Sequence, residues 1–140
     1  MDLDEIYNLF TWSAAFSQEE YDGRVSKGIA EASKLNNIYP FIQPVLAGGL
    51  SNESVWEPCA RVVAMKSDEE LQPYLMLLFA WLQDKNWPGA DIIFERLSRI
   101  PFWMLEKEFY ISRNCAINTN DEVWLEVLDK LMRVTNKETL

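Results

Sequence analysis

Carboxylates are the side chains with which this chain could do acid–base chemistry. The sequence contains 22 Asp and Glu residues against 13 Lys and Arg, and it contains no His. Two carboxylates can serve as a general acid and a general base when both face the same substrate. Glu106 and Glu108 are two positions apart, and on a helix that spacing points them in different directions. We therefore interpret them as part of a solvated face.

The chain also lacks the residue patterns of the common catalytic and metal sites. The absence of His removes the commonest general base and metal ligand. Gly48 and Gly49 lack the Gly-Lys-Ser/Thr context of a phosphate loop, and no Gly-x-Ser-x-Gly nucleophile turn occurs. Cys59 and Cys115 form neither a CxxC pair nor the spacing of a metal site. We therefore interpret both cysteines as small apolar side chains that are buried. These observations predict a protein that is not an enzyme and that uses no cofactor and no metal.

Negative charge is concentrated near the N-terminus. The formal net charge is -9, and six acids precede the first basic residue, Arg24. Such a surface repels phosphate backbones and disfavours nucleic-acid binding, whereas it attracts a basic protein. Two interpretations stay open, namely an acidic solubilising face and a surface that steers a basic partner. The candidate partner-binding residues are Asp4, Glu5, Glu19, Glu20 and Asp22.

The N-terminal sequence does not resemble a secretory signal. Its first ten residues, MDLDEIYNLF, include three acids where such a signal carries positive charge. The longest uninterrupted apolar run, 74–82, has nine residues. A membrane-spanning helix needs roughly 20. We expect a cytoplasmic protein without a membrane segment.

A Trp recurs three times, each time with an acid three residues before it. Trp56, Trp87 and Trp124 follow Glu53, Asp84 and Asp121, and the Trp positions are 31 and 37 residues apart. Helix-pair repeats of solenoid proteins run roughly 34 to 47 residues. An acid before a helix accepts hydrogen bonds from the free amides of its first turn, and an indole fills the gap between two helices. The spacing therefore predicts a repeating unit of helix, tight turn and helix, anchored by the Trp.

Apolar residues at helical spacing divide the chain into pairs of helices. No alternating β pattern with hairpin turns competes with them. The sequence predicts an all-α fold. The expected architecture is a HEAT-like α-α superhelix of about four antiparallel helix pairs, and residues 1–140 are expected to form a single helical-repeat domain. The pairs are expected at 2–16 with 18–35, 39–50 with 56–66, 74–82 with 88–100, and 102–117 with 124–133.

Several residues are expected to begin these helices. Ser17 with Glu20, and Ser67 with Glu70, match the capping box, in which a hydroxyl and a carboxylate satisfy two free amides. Asp121 is the expected N-cap of the last helix.

Two segments resemble a known family. Residues 81–89, with the sequence WLQDKNWPG, look like the signature of a bacterial family of short helical proteins of unknown function. The second mark of that family is matched by residues 121–124, and the resemblance covers roughly 60–133. Residues 55–62 are similar to the second helix of a HEAT repeat, although Trp56 and Pro58 depart from its usual pattern. The structural motif residues are Glu53, Trp56, Asp84, Asn86, Trp87, Pro88, Asp121 and Trp124.

The resemblance implies an α-α superhelix and, by analogy with small acidic relatives, an immunity protein, and it brings no catalytic residues. The resulting hypothesis is a non-catalytic module that binds a basic bacterial toxin domain through its acidic surface and neutralises it. The alternative is a cytoplasmic adaptor or regulatory subunit for a cellular protein. HEAT-like DNA glycosylases are an enzyme precedent, but they are basic proteins and this chain is acidic. Tyr7, Phe10, Trp12 and Trp103 are expected either to anchor the partner or to pack in the core.

Overall fold

The computed structural model describes residues 1–43 and 55–139, and the side chains up to Thr135. Within these ranges the fold is all-helical, as predicted, and contains no strand. Short 3-10 turns lie at Tyr39–Phe41 and Gln72–Tyr74. Glu53, Gly48, Gly49 and most of the helix expected at 39–50 lie outside the described residues. The helices are α1 (Leu3–Phe10), α2 (Gln18–Ala32), α3 (Trp56–Ala64), α4 (Asp68–Leu71), α5 (Leu75–Trp81), α6 (Ala90–Ser98), α7 (Phe102–Asn118) and α8 (Glu122–Thr139).

Capping boxes begin three of these helices. Both predicted boxes are present, at the starts of α2 and α4, and Asp2 with Glu5 forms a third at α1. At α8 the Asp121 carboxylate accepts the backbone N–H of Trp124 at 3.1 Å, which confirms Asp121 as the N-cap. These contacts satisfy amides that have no partner inside the helix.

Several predicted helix boundaries were wrong. The last helix ends at Thr139 and not at residue 133, and the described start of the helix expected at 39–50 is only a 3-10 turn, Tyr39–Phe41. The first helix ends at Phe10, not at residue 16, because Thr11 is extended and the Phe10 carbonyl accepts the Tyr21 hydroxyl at 2.8 Å. The helix of the third pair begins at Ala90, so Pro88 is not in its first turn. Gly89 has φ 84°, a left-handed conformation that an α-helix cannot continue through.

The helices form two layers. One layer holds the second helix of each pair, with packing of α2 on α3, α3 on α6, and α6 on α8. The other runs from α1 through the two 3-10 turns to α5 and α7: the Tyr7 ring meets Phe41, the Tyr39 ring meets Tyr74, and α5 packs on α7. Contacts between α1 and α2, α5 and α6, and α7 and α8 join the layers. This is the paired, superhelical arrangement that the sequence predicted.

A continuous apolar core runs between the layers from Ile6 to Leu131. Its first part depends on Gly28, because a Cβ at that position would lie 2.5 Å from Cε1 of the buried Phe10 ring. Gly28 therefore lets α1 approach α2 closely, which outweighs the roughly 1 kcal/mol that a helical glycine costs.

Two basic side chains tie successive pairs together. Lys66 Nζ donates to the carbonyls of Ser33 and Leu35 at 3.0 Å, which caps the end of α2. Arg96 is 7% exposed, and its Nη2 donates to the Lys66 carbonyl at 2.8 Å and to Asp68 Oδ1 at 2.7 Å. The end of the second pair is thus held from both sides.

Candidate functional site

The segment from Trp81 to Gly89 forms a closed turn between α5 and α6. Asp84 Oδ1 accepts the Asn86 N–H at 2.8 Å, and the Asp84 carbonyl accepts the Trp87 N–H at 3.0 Å. The buried Trp81 indole N–H closes the turn by donating to the Pro88 carbonyl at 3.1 Å. The Asp84 carboxylate therefore stabilises the turn. The sequence pattern predicts that it caps the following helix, α6, and this prediction was wrong. Each of these residues has a structural role.

This turn packs directly on the start of α3. The rings of Trp87 and Trp56 meet edge to face with centroids 5.9 Å apart. A Cβ on Gly89 would lie 2.7 Å from the Ala60 Cβ and 3.1 Å from the Trp56 carbonyl oxygen. Trp56 is buried, whereas Trp87 is only half-buried. The repeated Trp side chains therefore join neighbouring pairs, and Trp87 alone keeps a solvent-facing part.

Trp124 makes the corresponding link in the last pair. Its side chain is 4% exposed, and its indole N–H donates to the Phe79 carbonyl in α5 at 3.0 Å. A buried indole N–H needs such a partner to offset its desolvation. The motif residues that the structure describes thus fix the fold.

All five candidate partner-binding carboxylates are exposed. Glu5 and Glu20 also serve in capping boxes, and Asp22 accepts from Gln18 Nε2 at 2.8 Å. Among the residues that the structure describes, none of the five takes part in an ion pair. Asp4 and Glu5 lie in the first turn of α1, and Glu19, Glu20 and Asp22 lie near the start of α2, which packs on α1.

The acidic surface at the start of α2 continues onto α3. The pKa of Tyr21 is raised by burial and by the neighbouring carboxylates of Glu57 and Asp22. Glu57 is exposed in the first turn of α3. The sequence pattern does not indicate this residue, since only the packing of α2 on α3 brings it close to Tyr21.

The four aromatic residues proposed as anchors divide into two groups. Trp12 is 55% exposed, in the connection between α1 and α2, and Trp103 is 72% exposed on α7. Phe10 is fully buried, and Tyr7 is half-buried with its hydroxyl bonded to the Pro40 carbonyl. Trp12 and Trp103 therefore present exposed aromatic rings, whereas Phe10 and Tyr7 belong to the fold.

A groove between α6 and α8 was not predicted from the sequence. It has a volume of about 280 Å3 and is bounded by the turn after α5 and the first turns of α6 and α8. The pattern Val123, Glu126, Val127 and Lys130 in α8 marks one helix face, but a sequence does not show which neighbour that face meets. The apolar lining residues are Leu82, Ala90, Phe94, Val123 and Val127, and the charged ones are Lys85, Asp91, Glu126 and Lys130.

Charge in this groove is balanced. Lys130 Nζ lies 5.6 Å from the centre of the Phe94 ring, where the face of the ring attracts a cation. Asp91, Glu126 and Lys85 are also exposed at the groove. The groove thus combines apolar lining residues with two carboxylates and two ammonium groups.

The thiol of Cys59 is held in its neutral form. Burial raises its pKa to about 12, and its contact with Gln43 lowers the pKa in part. A thiol with this pKa is not a nucleophile at neutral pH. In the part of the chain that the structure describes, no group of three or more Cys, Asp or Glu side chains is placed to hold a metal. Nor is any helix in 1–43 or 55–139 both long and apolar enough to cross a membrane.

The family comparison covers more than half of the chain. The model of the family described as "Domain of unknown function (DUF5071)" matches residues 57–139. The match includes the closed turn, the Trp124 link and every lining residue of the α6–α8 groove, whereas the five candidate carboxylates lie outside it. No curated protein and no solved structure matches the chain.

Proposed function

This chain belongs to the family described as a domain of unknown function (DUF5071), and we propose that it is a non-catalytic module that binds a basic protein partner. The observation that carries the proposal is the set of exposed carboxylates on the first helix pair, which have no ion-pair partner among the described residues. Their charge is free to act on an approaching molecule.

The uneven distribution of charge along the chain favours a basic partner. Residues 1–22 carry six acids and no Lys or Arg, within a chain of net charge -9. Clusters of one sign raise association rates with an oppositely charged partner by roughly 10 to 1,000 fold. The same field opposes nucleic acid and the anionic surface of a membrane. Trp12, in the connection between α1 and α2, supplies an exposed aromatic ring of the type that forms binding hot spots.

We further propose that the partner is a bacterial toxin domain and that this protein is its cytoplasmic immunity protein. An immunity protein must bind its toxin before the toxin acts, so electrostatic capture is of direct use. The small size and acidity of the chain support this identity, as does the resemblance carried by 81–89 and 121–124.

A pull-down of the tagged protein from its native host, at low and at high salt, tests the proposal. We expect a stoichiometric basic partner at low salt that is lost at high salt, and that arrests growth when expressed without this protein. A partner that is harmless alone would contradict the immunity role and favour an adaptor. Recovery of no partner at either salt would contradict both.

Two triple variants, each of which removes three negative charges, provide the test and its matched control. Asp4→Asn, Glu19→Gln and Asp22→Asn together remove three charges from the first pair without touching a capping box. Glu69→Gln, Glu95→Gln and Glu106→Gln remove three exposed charges from other helices. The first set should weaken capture at low salt, and the second set should leave it intact.

A further inference from the structure

The pair formed by α7 and α8 has an apolar side that faces away from the other pairs. Apart from each other, α7 and α8 pack chiefly on α5 and on α6. On the opposite side the two helices present apolar residues about two turns apart, and the Tyr110 hydroxyl lies 3.9 Å from Met132 Sδ across them. We call this side the end face, and its apolar side chains are those of Phe102, Tyr110, Ile117, Leu125 and Met132.

The end face resembles the contact between neighbouring pairs more than an ordinary outer surface. Tyr110 and Ile117 are each 43% exposed, and the other three side chains are half-buried. In stacked-repeat proteins the terminal repeat has a polar outer face that keeps it soluble, whereas inner repeats cover apolar faces with the next repeat. A further helix pair would cover the end face in the same way.

We propose that the helix pair that covers the end face is the same pair, α7 and α8, of a second copy of this chain. Identical faces that meet about a two-fold axis form a closed dimer. The pairs of α7 and α8 then lie at its centre, and the first helix pairs lie at its two ends. Such a dimer is independent of the proposed capture of a basic partner.

Charge favours a second copy over a basic partner at this face. Arg113 Nε donates to Asp129 Oδ1 at 2.8 Å, and this contact raises the pKa of Arg113. The two groups therefore neutralise each other within one copy. The whole of α7 is also neutral, with the charged residues Glu106, Lys107, Glu108 and Arg113.

The net charge of the chain also favours contact through the end face. Two copies that each carry a formal charge of -9 repel one another, so they associate best where local charge is low. Contact through the end faces separates the two N-terminal regions, each of which has six acids within residues 1–22. Both acidic regions stay exposed in the dimer.

The size of the end face suits a weak but specific dimer. With 17 and 18 residues, α7 and α8 are each about 25 Å long at 1.5 Å per residue. Two packed helices with axes about 10 Å apart present a face about 20 Å wide, or roughly 500 Å2. Two such faces bury roughly 1,000 Å2, which is at the lower limit for a specific interface. We therefore expect a dissociation constant on the order of micromolar to tens of micromolar.

Sedimentation equilibrium of the full-length protein, from micromolar to millimolar concentration, tests for this dimer. We expect a reversible monomer–dimer equilibrium that strengthens as salt is added, because salt screens the repulsion between two acidic chains. Capture of a basic partner through the acidic surface weakens under the same change. The opposite salt dependence distinguishes the two kinds of association.

Two neighbouring residues of α7 provide the test variant and its matched control. Tyr110→Glu places like charges opposite each other in the proposed interface, and we expect the dissociation constant to rise at least about tenfold. Ile111→Glu adds the same charge at a position 47% exposed, but that residue lies about 100° further around the helix and should leave the dimer unchanged. Ile117→Glu is a second test variant on the end face, and circular dichroism checks that all three variants fold.

The outcomes are distinct. Weakened dimers in Tyr110→Glu and Ile117→Glu, with a wild-type equilibrium in Ile111→Glu, support contact through the end face. A wild-type protein that stays monomeric at millimolar concentration and high salt would overturn it. Dimers of equal strength in all three variants would also overturn it, since the contact would then lie elsewhere on the chain.

Discussion

At the scale of single residues, the buried indoles decide how neighbouring pairs are joined. Trp124 and Trp81 are buried, and each donates its N–H to a backbone carbonyl of another segment. Truncation of a fully buried Trp to Ala costs about 3 to 5 kcal/mol, and the sequence alone does not show whether Trp87 is buried. Because Trp87 is half-buried, we expect the larger share of this stabilisation at Trp81 and Trp124.

Trp124→Phe tests the indole hydrogen bond. The change keeps an aromatic ring but removes the indole N–H, so that the Phe79 carbonyl keeps only the Leu82 N–H as its donor. We expect the free energy of unfolding to fall by about 1 to 3 kcal/mol. Urea unfolding followed by circular dichroism measures this. Trp103→Phe is the control, since Trp103 is 72% exposed and should change stability by no more than about 0.5 kcal/mol. Equal effects of both substitutions would contradict the assignment.

Gly89 and Gly23 should respond to alanine in opposite directions. At Gly89, with φ 84°, an added Cβ would lie 2.7 Å from the Ala60 Cβ, and we expect Gly89→Ala to destabilise the protein by more than about 1 kcal/mol. At Gly23 in α2 nothing lies within 4 Å, so Gly23→Ala should stabilise it by up to about 1 kcal/mol. Thermal midpoints of the two variants check the signs, and a stable Gly89→Ala protein would show that the closed turn does not need glycine.

Tyr7 and Cys59 should make the fold sensitive to alkali. Burial raises the pKa of each side chain in the folded state to about 12, from ordinary values of 10.0 and 9.0. The unfolded chain therefore loses these protons first, so their stabilising contribution is present below pH 9 and is lost as the pH rises towards 12. Urea unfolding across this range should show a steeper decline for the wild type than for the double variant Tyr7→Phe, Cys59→Ala. Parallel pH profiles would contradict this account.

At the scale of helices, the Arg96 side chain holds the third pair to the second. Replacement by Arg96→Met removes the donors to the Lys66 carbonyl and to Asp68, and we expect a loss of about 1 to 3 kcal/mol in the free energy of unfolding. Arg99→Met is the control, because its ion pair with Glu95 is exposed and such pairs contribute about 0 to 1 kcal/mol. Denaturant midpoints distinguish the Arg96 and Arg99 variants, provided that their m-values are equal. Similar midpoints for both variants would show that Arg96 does not link the second and third helix pairs.

Helix existence and several helix starts could be predicted because their causes are local. The capping boxes at Ser17 and Ser67 need only residues three apart, and both are present. The end of α1 could not be predicted, since it depends on the Tyr21 hydroxyl eleven residues away. The start of α6 depends on the left-handed Gly89, which is packed against Ala60 and Trp56. Contacts distant in sequence override local propensity at both places.

At the scale of the whole molecule, the packing of the second-layer helices creates surface features that the sequence does not show. The sequence indicated four helix pairs and an acidic N-terminal region, which the layered packing accommodates. It did not indicate that Glu57 lies near Tyr21, nor that α6 and α8 enclose a groove. Both features arise only when helices from different pairs meet side by side.

The rate at which the captured partner associates with this protein, measured at increasing salt, tests the central claim most directly. We predict that the wild-type rate constant falls steeply with salt and that Asp4→Asn, Glu19→Gln, Asp22→Asn together slow association at low salt by about tenfold or more. The two rates should converge at high salt. Identical rate constants for wild type and variant at low salt would contradict capture through the acidic surface.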